Sequence, residues 1–195
     1  MFSVARAAWM LRYFGATNVR ILNGGLKKWI AENRPLAKNA PQDPISEEGD
    51  FSYSVKDPSR CILDVSHMHA VARELYHGGS NGRVQVLDAR SADRFNAKVP
   101  EPRPGVRSGS IKNSINVPFN LLVNDDGTFK SELEIDAIFK ARGVNYEAEL
   151  INSCGSGVTA CVVDLGLKLN SAANSKIYDG SWSEYGAVAE PDLNK

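Results

Sequence analysis

The chain has 195 residues, enough for one domain of ordinary size and some extra. It is 43% hydrophobic and 24% charged, the balance of a globular protein, and its 23 basic and 23 acidic residues cancel, so nothing in bulk charge attracts nucleic acid. No apolar run approaches the roughly 20 residues of a membrane helix, no Cys/His spacing suits zinc, and no cofactor is implied. Three cysteines, Cys61, Cys154 and Cys161, are an odd and sparse set. They read as thiols of a reducing compartment rather than as a disulfide frame.

Residues 1–31 contain Arg6, Arg12, Arg20, Lys27 and Lys28, with no acid before Glu32. With apolar Phe2, Val4, Ala8, Trp9, Leu11 and Phe14 between them, they have the composition of a mitochondrial presequence. Residues 34–59 hold Pro35, Pro41, Pro44, Pro58, Gly49 and several acids, a linker composition.

From Arg60 strands alternate with helices. Strands are predicted at Cys61–Val65, Val84–Ala89, Ser114–Val117, Glu149–Ser153 and Lys176–Tyr178. Helices are predicted at Ser66–Tyr76, Ser131–Arg142, Val158–Leu169 and Ser183–Ala189. Gly78-Gly79 and Asn81-Gly82 break the chain after the first of these helices. Such alternation gives an α/β domain with a mainly parallel sheet flanked by helices. Ligands of such sheets sit outside the carboxyl ends of the strands.

One stretch stands at that place: Asn152-Ser153-Cys154-Gly155-Ser156-Gly157-Val158-Thr159-Ala160-Cys161. Leu150 and Ile151 lead in as a strand. Val158, Cys161, Val162, Leu165 and Leu169 lead out at helical spacing, which also assigns Cys161 to the core. A cysteine at a strand end is ordinarily a buried small hydrophobe. Here the residues after it are small, and two are glycines. Such a loop can aim several backbone N–H groups at one centre, where the helix dipole adds its positive end. Cys154 is therefore expected to be a thiolate near neutral pH. A phosphate-binding loop of the Cys-x5-Arg type is excluded, because the sixth residue after Cys154 is Ala160 and the loop has no cation for a dianion.

Cys-Gly-Ser-Gly-Val-Thr-Ala-Cys resembles the active-site loop of the rhodanese superfamily, in the version of its 3-mercaptopyruvate sulfurtransferases. Thiosulfate-preferring members usually carry charged residues where Gly155 and Ser156 stand. Val86-Leu87-Asp88-Ala89-Arg90, Arg94-Phe95, Pro100-Glu101-Pro102-Arg103, Ser114-Ile115-Asn116-Val117-Pro118-Phe119 and Tyr178-Asp179-Gly180-Ser181-Trp182-Ser183-Glu184 follow in family order and spacing. The resemblance covers about residues 60–186 as one rhodanese domain, read as 60–195 with its active-site loop at 154–160. It extends upstream too. Residues 1–33 resemble the closing segment of a first rhodanese domain, a reading preferred to a cleaved presequence, and 34–59 resemble the linker that follows it. The resemblance implies a helix to Gly15, a strand over Val19–Leu22, then Asn23-Gly24-Gly25-Leu26 and a helix over Lys27–Asn33.

The resemblance implies sulfur transfer from 3-mercaptopyruvate or thiosulfate through a Cys154 persulfide to a thiol, such as thioredoxin, or to cyanide. This is covalent catalysis in two half-reactions. Cys154 and Ser156 are the implied catalytic residues. The backbone of Gly155, Gly157, Val158 and Thr159 would hold the outer sulfur, with the Ser156 and Thr159 hydroxyls as further donors. Arg94 and Arg103 would clamp the donor's carboxylate and ketone. Asp88 and Arg90 read as scaffolding, and His67, His69 and His77 as surface or capping residues. The family's Gly-His-Ile-Pro-Gly is here Gly109-Ser110-Ile111-Lys112-Asn113, and Tyr185 replaces a usual tryptophan. The acid and histidine that a first domain would bring to Ser156 have no counterpart. A second reading follows: a weakened or inactive domain serving as a structural subunit, joined to a protein complex through an exposed inter-domain face. The implied compartment is the mitochondrion, with the cytoplasm as the alternative.

Overall fold

The computed structural model describes residues 2–37, 52, 54–55, 58–62, 64–78, 82–172 and 174–188. The linker expected over 34–59 lies mostly outside these residues, as do Gly79, Asn81 and Ala189.

Five strands form one parallel sheet: β1 (Cys61–Ile62), β2 (Val84–Asp88), β3 (Ile115–Asn116), β4 (Glu149–Ser153) and β5 (Ser175–Tyr178), in the order β1-β5-β4-β2-β3. β4 lies in the middle. It pairs with β2 from Val84↔Glu149 to Asp88↔Ser153, and with β5 from Leu150↔Ser175 to Asn152↔Ile177. Successive side chains of a strand point to opposite faces. Leu87, Leu150 and Ile177 accordingly belong to one core cluster, and Val86, Ile151 and Tyr178 to another. Burial on both faces explains why apolar residues stand side by side in these strands, as Val86-Leu87, Leu150-Ile151 and Ile177-Tyr178, rather than alternating.

Helices cover the two faces. α5 (Glu132–Ala141) and α6 (Ala160–Leu169) give Ile135, Phe139, Val162, Val163 and Leu167 to the first cluster. α3 (Val65–Tyr76) and α7 (Ser181–Val188) give Met68, Ala72, Trp182 and Tyr185 to the second. Local chemistry sets the starts. Asp64 accepts from the Ser66 amide at 2.8 Å at the head of α3, and Ser131 with Glu134 forms a capping box before α5. α4 (Ala92–Phe95) was not anticipated, since four residues carry no readable periodicity.

Upstream, α1 (Phe2–Tyr13) packs on α6 and buries Ala5, Ala8 and Trp9, while α2 (Gly25–Ala31) buries no residue. The strand expected at Val19–Leu22 is not one. A strand needs hydrogen-bonded neighbours, and this segment joins no sheet. Leu22, Leu26, Ile30 and Leu36 are all at least half exposed.

Candidate active site

β4 ends at Ser153 and α6 begins at Ala160, two residues later than the predicted Val158, so residues 154–159 form the loop between them. Thr159 is the N-cap of α6 and makes no side-chain cap hydrogen bond. Cys154 is 2% exposed. The Ser156 amide donates to its Sγ at 3.4 Å. The expected ring of amides is divided, however. The Gly157 amide donates to Ser181 Oγ at 3.0 Å, as the Cys154 amide does at 3.1 Å. Gly157 has φ +74°, a left-handed conformation that glycine adopts without steric cost.

α7 supports the loop from beneath. Its Trp182 amide donates to Cys154 O at 2.9 Å, and its Ser183 amide to Gly155 O at 2.9 Å. The Ser183 hydroxyl donates to that same carbonyl. A helix leaves its first amides without intrahelical partners, and here the loop carbonyls accept two of them. Ser181 and Ser183 were missed as contributors to the site. The signal for them lies in the Tyr178-to-Glu184 motif, which contains both serines. On the other flank Arg6 of α1 reaches the loop, pairing with Asp179 at 2.6 Å and donating to Gly157 O at 3.4 Å.

A cleft of about 160 Å³ opens beside the loop, lined by Arg94, Glu101, Arg103, Gly155, Ser156 and Ser183 among others. Two predicted arginines and two predicted loop residues thus share one cleft. Of the other predicted site residues, Cys154, Gly157 and Thr159 are buried and Val158 is half-buried. Arg94 Nη2 lies 2.5 Å from Glu101 Oε2, and this contact raises the arginine further above its ordinary value. Glu101 Oε1 also accepts from Arg90 Nη1 at 2.9 Å, and Arg90 pairs with Asp88 at 2.6 Å. The scaffolding reading of Asp88 and Arg90 agrees with this buried pairing. His69 is less of a surface residue than expected: it is half-buried, edge-on to Tyr185 at 5.4 Å.

A larger hollow of about 390 Å³ lies between α1 and α6. It is lined by Cys161, Trp9 and Tyr13 but by neither cleft arginine, so its size does not make it the site of the chemistry. Among the described residues no His, Cys, Asp or Glu group could hold a metal ion, and no helix is long and apolar enough to cross a membrane.

A parallel α/β sheet with a cysteine-bearing loop at the carboxyl end of its central strand, beside a cleft lined by two arginines, defines the class. The profile of the rhodanese-like domain matches residues 71–187, and the chain belongs to the rhodanese family. It is 44% identical over 190 residues to 3-mercaptopyruvate sulfurtransferase of Escherichia coli K12, covering 97% of this chain and 63% of that protein. The human 3-mercaptopyruvate sulfurtransferase is 35% identical, with 98% and 61% covered. The crystal structure of SseA from Escherichia coli, a 3-mercaptopyruvate sulfotransferase, superposes with a TM-score of 0.75 at 42% identity, covering 94% of this chain and 63% of that one. The chain thus spans a little over three fifths of the length of these relatives.

Proposed function

We propose that this chain is a sulfurtransferase that carries one sulfur atom as a persulfide on Cys154, with 3-mercaptopyruvate as donor and thiosulfate as the alternative. The observation that supports this most is the shared cleft: Arg94 and Arg103 open beside Gly155 and Ser156, whose loop holds the nucleophile. Arg94 and Arg103 take the carboxylate and ketone of the donor by charge-assisted hydrogen bonds. The Cys154 thiolate attacks the donor sulfur, so an S–S bond forms and the C–S bond breaks. The electron pair of that bond goes to the methylene carbon, which takes the donor's thiol proton to give pyruvate. Ser156 is the hydroxyl proposed to handle that proton. The Ser156 amide already donates to Sγ at 3.4 Å. An acceptor nucleophile, a thiol such as that of thioredoxin or cyanide, then removes the outer sulfur and restores the thiolate.

The test is direct. The chain is incubated with 3-mercaptopyruvate, and pyruvate release and a one-sulfur mass gain on Cys154 are measured. Absence of both rejects the reading.

The domain assignment is part of the same proposal. Residues 1–33 act as the closing part of a first rhodanese domain, and 34–59 as its linker. Burial of Trp9 against α6, with the Arg6–Asp179 and Lys28–Asp126 pairs, favours a folded role over a presequence. The mitochondrion remains the proposed compartment and the cytoplasm its alternative, and imaging of a carboxyl-terminal fluorescent fusion distinguishes them.

One observation favours the second reading, a structural subunit. Leu22, Leu26, Ile30 and Leu36 expose apolar surface on one short segment, as a docking face would. A well-behaved, active monomer on size-exclusion chromatography counts against it.

A further inference from the structure

Arg94 does not meet the cleft as a bare cation. Glu101 grips it at two points, Oε2 to Nη2 at 2.5 Å and Oε1 to Nε at 3.1 Å. The glutamate is 4% exposed at its side chain and the arginine 26%, so the acid lies behind and the cation in front. Glu101 Oε1 also touches Arg90 Nη1 at 2.9 Å. Arg90, however, is already balanced by Asp88, which meets it through both carboxylate oxygens. Its guanidinium is further held 4.5 Å from the centre of the Trp182 ring. Asp88 and Arg90 cancel, and the charge of Glu101 is set against Arg94.

The charged side chains lining the cleft, among the described residues, are therefore two cations, Arg94 and Arg103, and one anion, Glu101. Their net charge is a single positive one. Coulomb energy is proportional to the charge of the ligand. Each unit charge added to or taken from the cleft thus changes the binding of a dianion twice as much as that of a monoanion. 3-Mercaptopyruvate is a monoanion and thiosulfate a dianion.

We propose that Glu101 determines donor specificity: its carboxylate takes one unit of positive charge from the lining of the cleft and so favours monoanionic sulfur donors over dianionic ones. This rests on the sulfurtransferase reading and names a residue that sets its substrate class. Glu101 acts through Arg94 and through the field, so it is a positioning and specificity residue rather than a catalytic one. A purely structural Glu101 would affect both donors alike.

The experiment measures kcat/KM for 3-mercaptopyruvate, by pyruvate release, and for thiosulfate, by sulfite release, on the whole chain. Glu101→Gln raises the thiosulfate-to-mercaptopyruvate ratio about tenfold, the effect of one extra unit charge at cleft distance in a medium between protein and water. Glu101→Asp keeps the charge and keeps the ratio. Arg103→Gln removes a cation and lowers the ratio by a similar factor. An unchanged ratio in Glu101→Gln, whatever the loss of rate, overturns the proposal. If Glu101→Gln fails to fold by circular dichroism, Glu101→Ser, a smaller neutral side chain, takes its place, and an unchanged ratio there overturns the proposal. Failure of the sulfurtransferase reading looks different: neither donor loads sulfur onto Cys154 in the unmodified chain, and this inference falls with it.

Discussion

The hydroxyl oxygen of Ser181 lies 3.1 Å from the amide nitrogen of Cys154, and it accepts that amide's hydrogen. The same oxygen takes the Gly157 amide at 3.0 Å and donates to Tyr178 O at 2.9 Å. One fully buried hydroxyl thus ties both shoulders of the Cys154 loop to the end of β5. Removing one partner of a buried hydrogen bond leaves the other unsatisfied, at about 1–3 kcal/mol per group. Ser181→Ala is expected to destabilise the chain by at least that amount in urea denaturation. It should also slow persulfide formation, because the loop loses its anchor. Unchanged stability and unchanged loading rate would show that the anchor is dispensable.

Cys154 is expected to be the one thiol that carries sulfur. Burial pushes the Cys61 thiol up to about 11 and the Cys161 thiol up to about 12. A raised value keeps a thiol neutral until the pH approaches it, and the neutral form is a poor nucleophile. Cys154→Ser should therefore take up no sulfur from either donor at neutral pH. Its two remaining thiols should label slowly with iodoacetamide, faster as the pH climbs toward 11. A sulfur adduct on Cys61 or Cys161 would contradict this.

Gly155 gives Arg94 its place. A Cβ there would lie 2.9 Å from Arg94 Nη2, the far end of a flexible side chain. Gly155→Ala is expected to leave folding intact and to push the guanidinium off its position. KM for the donor should rise about tenfold, equivalent to about 1.4 kcal/mol, with kcat changing less. A drop in kcat alone would assign Gly155 another role.

Gly157 has less freedom. Its φ is +74°, and an added Cβ would sit 2.8 Å from the backbone oxygen of Asp179 and 3.0 Å from Arg6 Nη1. Neither the strand end that carries Asp179 nor a left-handed backbone yields cheaply. Gly157→Ala should cost about 1–3 kcal/mol from backbone strain alone, lowering the unfolding midpoint by roughly 2–4 °C per kcal/mol. A midpoint equal to that of the unmodified chain would mean that the loop can rearrange freely.

Much of this protein was legible in the chain alone. The strand candidates at Val84–Ala89 and Glu149–Ser153 and their alternation with helices were enough for a parallel α/β sheet. The small residues after Cys154 marked the loop, and Arg94 and Arg103 were singled out and do line one cleft with it. Patterns of this kind are local: they record which face of an element is apolar and where the backbone can turn. What the chain alone left open was the choice of partners. Nothing in the sequence says that Ser181 rather than Cys154 takes the Gly157 amide, or that Val19–Leu22 finds no strand to pair with. Nor does it say that Glu101 stands behind Arg94 with Arg90 at its other oxygen. These contacts join residues far apart in the chain, or seven and eleven positions apart across a turn. A hydrogen bond or a field between them exists only once packing of the sheet and helices has fixed their distances.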